Sequence, residues 1–307
     1  MLALWAMWIA VCAATWATNA RIPVSLLYGF HGAGIVSAAG RVVVLLGWPI
    51  ALAAIPLMAV AVERLLASPH TPMTGRVVSA ASVGSIALCL TIAWPGAQQG
   101  SHLDAKYVNA PAAVGVAIAF VVTLYVVATT GRGDPPPLTR TDAVWVVVFL
   151  VILLLSIPWL LANLGYYAGD VPGFRSLFMS EQVVPEAGHP NLSAVHLGNH
   201  EGIDGVLLAI TAVVLVRALG QMARSARRTA LAAYLSVLFV YGLAVALADG
   251  WHEQVTKRGW TVWKIPNVLH PSASWPWLAV LVFALVVWLA VRRWLLALEG
   301  GVRPRRV

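Results

Sequence analysis

Residues 142–165 read DAVWVVVFLVILLLSIPWLLANLG. After Asp142 the run contains no ionisable side chain. At 1.5 Å rise per residue, roughly 20 helical residues cross the ~30 Å of bilayer hydrocarbon. Lipid offers the backbone no hydrogen-bond partner, so such a run must satisfy its own peptide groups as a helix. The segment is therefore expected to be a transmembrane helix, and it sets the reading of its neighbours.

The whole chain follows the same pattern. Of its 307 residues 60% are hydrophobic and 10% charged, against about 25% charged in an ordinary soluble domain. Comparable apolar runs fall at about 2–18, 42–62, 77–95, 111–130, 205–219, 230–249 and 275–292. With 142–165 they predict an all-α, polytopic integral membrane protein: a single transmembrane domain over 1–307, built as a bundle of about eight helices. The first run lacks the basic n-region of a signal peptide and reads as a retained helix. Segment 22–40 is Gly-rich and joined to the next run by Arg41 alone, so it reads as an interfacial or re-entrant piece. Pro49, Pro56 and Pro158 lie inside apolar runs, where neighbouring helices can take up the freed carbonyls, so kinks rather than breaks are expected. Many of the fourteen tryptophans, Trp94, Trp145, Trp159, Trp251, Trp260, Trp275, Trp277 and Trp294 among them, sit near run ends as interface anchors. The two cysteines, Cys12 and Cys89, lie in apolar runs and read as buried small residues.

The formal charge of +8 comes from short inter-helix loops and a tail, which argues against a nucleic-acid partner and for a topogenic role. Thirteen of the twenty basic residues (Arg64, Arg76, Arg132, Arg140, Arg217, Arg224, Arg227, Arg228, Arg292, Arg293, Arg303, Arg305, Arg306) fall in alternate connections and the C-terminal tail. The positive-inside rule then puts both termini in the cytoplasm. High Ala, Val, Arg and Trp usage points to a bacterial plasma membrane. On that topology seven of the eight histidines, all except His70, fall on the outer side, as do Asp104, Asp170, Glu181, Glu186, Glu201, Asp204, Asp249 and Glu253. Chemistry is accordingly expected on the extracytoplasmic face.

The densest outer stretch is HPNLSAVHLGNHEGIDG, 189–205. If it is helical from about Ser193, His196, His200 and Asp204 share one face at i, i+4 and i+8. Imidazole and carboxylate on one helix edge suit a divalent metal ion such as Zn, Fe, Mn or Cu. Gly198, Gly202 and Gly205 weaken a helix but provide a small face for close approach. A second cluster, Asp249, His252 and Glu253, ends the run at 230–249, and antiparallel packing of the two runs would bring the clusters to one level. His196, His200, Asp204, Asp249 and His252 are thus the candidate metal ligands, with Glu201 or Glu253 as the catalytic acid/base. The plainer alternative is two polar helix ends in water, and a pH-sensing role for the histidines is a third. His31, His102 with Asp104, His189 and His270 are single loop imidazoles. The outer segment 170–186 reads as an interface loop or a lid, and 260–277 as an aromatic belt.

The expected function is a metal-dependent membrane enzyme, hydrolase or oxidoreductase, acting on a lipid-like or small substrate. In drawing histidines from separate helices, with Ser193 near His196 and His200, the pattern is loosely similar to integral-membrane metallohydrolases of the ceramidase and adiponectin-receptor type. The seven-helix plan and the Ser and Asp placements of that group are not reproduced. The HxxxH spacing is shared with membrane desaturases, whose paired HH motifs this chain lacks. Two other classes stay open: a non-catalytic subunit or metal-handling protein of a larger complex, and a neutral-solute transporter, since the cores of the apolar runs, inside Asp142, Arg217, Asp249 and Arg292 at their ends, carry no Asp, Glu, Lys, Arg or His.

Overall fold

The computed structural model describes residues 1–19, 48–69, 72–93, 109–131, 142–163, 201–266, 268–269 and 271–301. Among these, eight α-helices and no strand are present: α1 (Leu2–Asn19), α2 (Trp48–Leu66), α3 (Pro72–Leu90), α4 (Ala110–Thr130), α5 (Ala143–Asn163), α6 (Glu201–Leu219), α7 (Ala226–Trp251) and α8 (Trp275–Gly301). Every predicted apolar run has a helix. By length and composition, seven helices can cross a membrane, and Leu2–Ala14 is a shorter apolar helix. The protein is an all-helical, polytopic membrane bundle. Boundaries shift by a few residues: the second span runs 48–66 rather than 42–62, and the sixth and seventh begin at 201 and 226 rather than 205 and 230. Segment 22–40 lies outside the described residues.

Helices α2 and α6 form the centre. A helix apolar all round belongs inside, and α6 buries Ile203, Leu207, Leu208, Leu215 and Leu219 almost completely. Around this centre α5 and α8 turn Leu150, Leu154, Leu155, Leu281 and Phe283 outward. Such apolar surface would be a liability in water and is what hydrocarbon covers.

Small residues and buried hydrogen bonds supply the helix contacts, as expected where lipid removes the hydrophobic drive for association. A Cβ on Gly115 of α4 would come within 2.9 Å of the Cys89 backbone nitrogen on α3, and Ser85 donates to the Gly115 carbonyl at 2.7 Å. Trp8 of α1 donates to Thr211 of α6 at 3.0 Å. Pro56 lacks the N–H that would bond the Leu52 carbonyl; the Tyr234 hydroxyl of α7 donates to that carbonyl at 2.8 Å instead. Helices α2 and α5 continue unbroken past Pro56 and Pro158. Pro49 lies in the first turn of α2, where a missing N–H costs nothing.

The two ends differ. At one end the start of α7 and the ends of α2, α6 and α8 are tied by arginine: Arg227 to Glu63 at 2.9 Å, Arg217 to Asp142 at 3.6 Å, and Arg224 and Arg228 to Glu299 at 2.7 Å each. Arg64 donates to the Gly131 carbonyl at 2.6 Å. The described arginines assigned to the cytoplasmic connections by charge counting thus gather at one end. The opposite end carries Glu201, Asp204, Asp249, His252 and Glu253.

Candidate functional site

Helices α6 and α7 position the site. They are joined by a short turn, capped where Ser225 Oγ accepts from the Arg228 amide at 3.2 Å. They run antiparallel in near backbone contact. A Cβ on Gly205 would strike the Gly242 carbonyl and lie 2.8 Å from the Ala246 amide nitrogen; one on Gly242 would strike the Gly205 carbonyl. This close approach carries the small face expected of Gly202 and Gly205, and it sets Glu201 and Asp204 of α6 level with Asp249 of α7.

Asp249 is the best-held member. Its Oδ2 accepts from Trp159 Nε1 at 2.8 Å, and the Gly202 backbone N–H also donates to it. Gly202 has no room for a side chain, since a Cβ there would meet Asp249 Oδ2 and sit 2.6 Å from Trp159 Nε1. Gly250 lies against the same indole, at 3.3 Å from a Cβ position to the ring. Glu201, Asp204 and Asp249 are within electrostatic reach of one another, and Cys12 of α1 and Tyr241 of α7 are within reach of Asp204. All three carboxylates are half-buried, and among the described residues none forms an ion pair.

An aromatic layer lies beside them. Trp48 donates to the Tyr241 hydroxyl at 3.1 Å, and that hydroxyl donates to the Leu269 carbonyl at 3.1 Å. Trp277 stacks on Tyr241 with centroids 5.5 Å apart. Farther out, Trp251 donates to the Trp263 carbonyl at 2.9 Å, while the exposed rings of Trp260, Trp263 and Trp275 fit the predicted belt.

The predicted residues are only partly brought together. Asp204, Asp249 and Glu201 converge, and His252 is within electrostatic reach of Asp249. Yet among the described residues no group of three or more His, Cys, Asp or Glu is arranged to hold a metal ion. Asp204, Asp249 and His252 therefore do not make a complete ligand set. One reason is that Asp249 is already committed to Trp159 and Gly202. Another is that α7 passes into a π-helical turn, His252–Thr256, where Lys257 and Lys264 lie near the His252 imidazole. Glu253 is buried in that turn, 3.0 Å from Lys257 Nζ, whereas Glu201 stands beside Asp204 and Asp249. His196 and His200, and also His31, His102, His189 and His270, lie outside the described residues, as does the segment 170–186. The sequence marks Trp159 only as an interface anchor; its position just after Pro158 carries no sign of an aspartate partner.

The fold and site define a polytopic helical membrane protein with a carboxylate cluster at one end of its α6–α7 pair. No protein-family model matches the chain, and no curated protein or solved structure matches it.

Proposed function

We propose that this is a bacterial plasma-membrane protein, with both termini cytoplasmic, whose extracytoplasmic end is a cation-dependent site; the enzyme reading is a metal-dependent activity on a lipid-like or small substrate. The observation that carries it is the convergence of Glu201, Asp204 and Asp249 with no Lys or Arg in ion-pair contact among the described residues. Like charges held together at a membrane surface raise the local negative potential, and a cation relieves it. Charge at the other end supports the orientation, because Arg64, Arg217, Arg224, Arg227, Arg228, Arg292 and Arg293 stand there.

In this reading Asp204 is a ligand together with His196 and His200, which precede it by eight and four residues. Asp249 and His252 are supporting ligands, and Glu201 exchanges protons with substrate or water. The described carboxylates do not form a three-ligand group by themselves, so the histidines must complete the set. A divalent ion so held would acidify bound water or polarise a substrate oxygen. The deciding experiment is elemental analysis of the purified protein beside His196→Ala/His200→Ala and Asp204→Asn variants. Stoichiometric metal in the parent and its loss in both variants is expected; metal-free parent protein grown with zinc, iron, manganese and copper would sink the metal reading.

A second reading has its own observation. Glu201, Asp204 and Asp249 fall within helices long and apolar enough to span the membrane, Glu201–Leu219 and Ala226–Thr256, and ionisable groups in such segments mark ion or proton paths. A proton- or cation-coupled carrier would show flux in proteoliposomes that survives chelation and disappears in Asp204→Asn.

A further inference from the structure

The arginine-rich end holds a cleft of ≈ 580 Å³ between the start of α7 and the end of α8, lined by Arg224, Arg228, Arg292, Glu299, Trp288 and Leu295 among others. Three guanidinium groups face one carboxylate there, so the lining keeps a positive excess after Glu299 has paired with Arg224 and Arg228. Arg228 is 6% exposed, and its Nε is buried with no hydrogen-bond partner although Nη1 is taken by Glu299. Arg292 lies over the Trp288 ring, 5.7 Å from its centroid. Ser225 and Thr229, also in the lining, add hydroxyls beside the first turn of α7, whose amides favour an anion.

The rest of the lining is apolar. Ala232 and Trp288 lie a turn nearer the middle of the spanning helices than Arg228 and Arg292, Leu295 and Leu296 sit beside the charged rim, and Leu296 is 45% exposed. The rim sits where the apolar segment Trp275–Glu299 ends, the level at which lipid headgroups meet a helix. A small soluble anion would satisfy the guanidinium groups and leave Leu295 and Leu296 uncovered. A molecule with a phosphate and an acyl chain covers both.

We propose that this cleft binds the phosphate headgroup of an anionic phospholipid, its acyl chain lying against Leu295 and Leu296. Arg228 Nε and the exposed Arg224 and Arg292 hold the phosphate oxygens, and Glu299 keeps the arginines in place while competing with the lipid. A basic pocket between spanning helices recognises headgroup charge in this way.

The test uses the full chain in detergent, delipidated and titrated with phosphatidylglycerol or phosphatidylcholine, with bound lipid counted by native mass spectrometry. Phosphatidylglycerol is expected to bind in preference to phosphatidylcholine, with affinity falling about fivefold for each guanidinium lost in Arg224→Gln and Arg292→Gln. Both side chains are exposed, so the variants should keep the helical signal of the parent. Glu299→Gln should tighten phosphatidylglycerol binding, whereas a purely structural cluster would only be weakened by it. Equal binding of the two lipids, or unchanged selectivity in the double arginine variant, overturns the proposal. Displacement of phosphatidylglycerol by an equal concentration of inorganic phosphate would show a free-anion site and overturn it as well.

Discussion

The two ends of the bundle handle charge in opposite ways. At the arginine end Glu63, Asp142 and Glu299 each have an arginine partner, so the charges serve as ties between helices. At the other end Glu201, Asp204 and Asp249 are packed near one another, and the hydrogen bonds Asp249 accepts are neutral, from an indole N–H and a backbone amide, with Lys257 acting only through space. A cluster built for stability would interleave signs, because like charges at close range oppose folding. On the proposed reading a cation supplies the missing charge at the unbalanced end, and the difference between the ends would then separate scaffold from site.

The sharpest way to break that contrast is to part α6 from α7. Gly205→Leu places a side chain where the Gly242 carbonyl and the Ala246 amide already are. It should lower stability by ~3 kcal/mol or more, seen as loss of the folded, monodisperse species in size-exclusion chromatography with thermal melts. An undisturbed melt would show that the close approach is not needed to hold the carboxylates level. Next comes Trp159→Phe, which removes the indole donor and leaves Asp249 half-buried with one bond fewer. A loss of ~1–3 kcal/mol is expected, together with roughly 10-fold weaker cation binding by titration calorimetry, the usual effect of losing a group that orients a ligand. Tyr234→Phe tests the scaffold alone: it strands the Leu52 carbonyl beside Pro56 and should cost ~1 kcal/mol without changing cation binding.

These residues also show how far the amino-acid pattern reaches. Apolar runs of spanning length located all eight helices, because hydrocarbon allows one backbone solution and demands it over a fixed distance. The glycines at 202 and 205 announced a close approach, since few roles other than backbone contact favour glycine in a helix. Glu201, Asp204 and Asp249 are legible as neighbours from the antiparallel packing that the short turn between α6 and α7 implies. Two features were not. The bond from Trp159 to Asp249 joins residues ninety positions apart, and a tryptophan near a helix end looks the same whether it faces headgroups or an aspartate. The π-helical turn at His252–Thr256 changes the residues per turn just where the sequence groups Asp249, His252 and Glu253 in one cluster, and Glu253 is turned to Lys257.

The smallest effects give the most direct test of the contrast, because their signs should differ. Glu63→Gln removes a carboxylate whose partner, Arg227, is 66% exposed. Solvent screens such a pair, so the loss should be ~0–1 kcal/mol, always in the destabilising direction. Asp204→Asn also removes one carboxylate, but from among like charges. In metal-free protein at alkaline pH, where the cluster is ionised, relief of repulsion should therefore raise the thermal midpoint by ~2 °C, on the order of 1 kcal/mol for a chain of this size, while cation binding is lost. Paired melts of the two variants with and without added divalent metal read both signs at once. If Asp204→Asn melts below the metal-free parent, the carboxylates are holding the bundle together just as Glu63 does, and the division between a tied end and a ligand-seeking end fails.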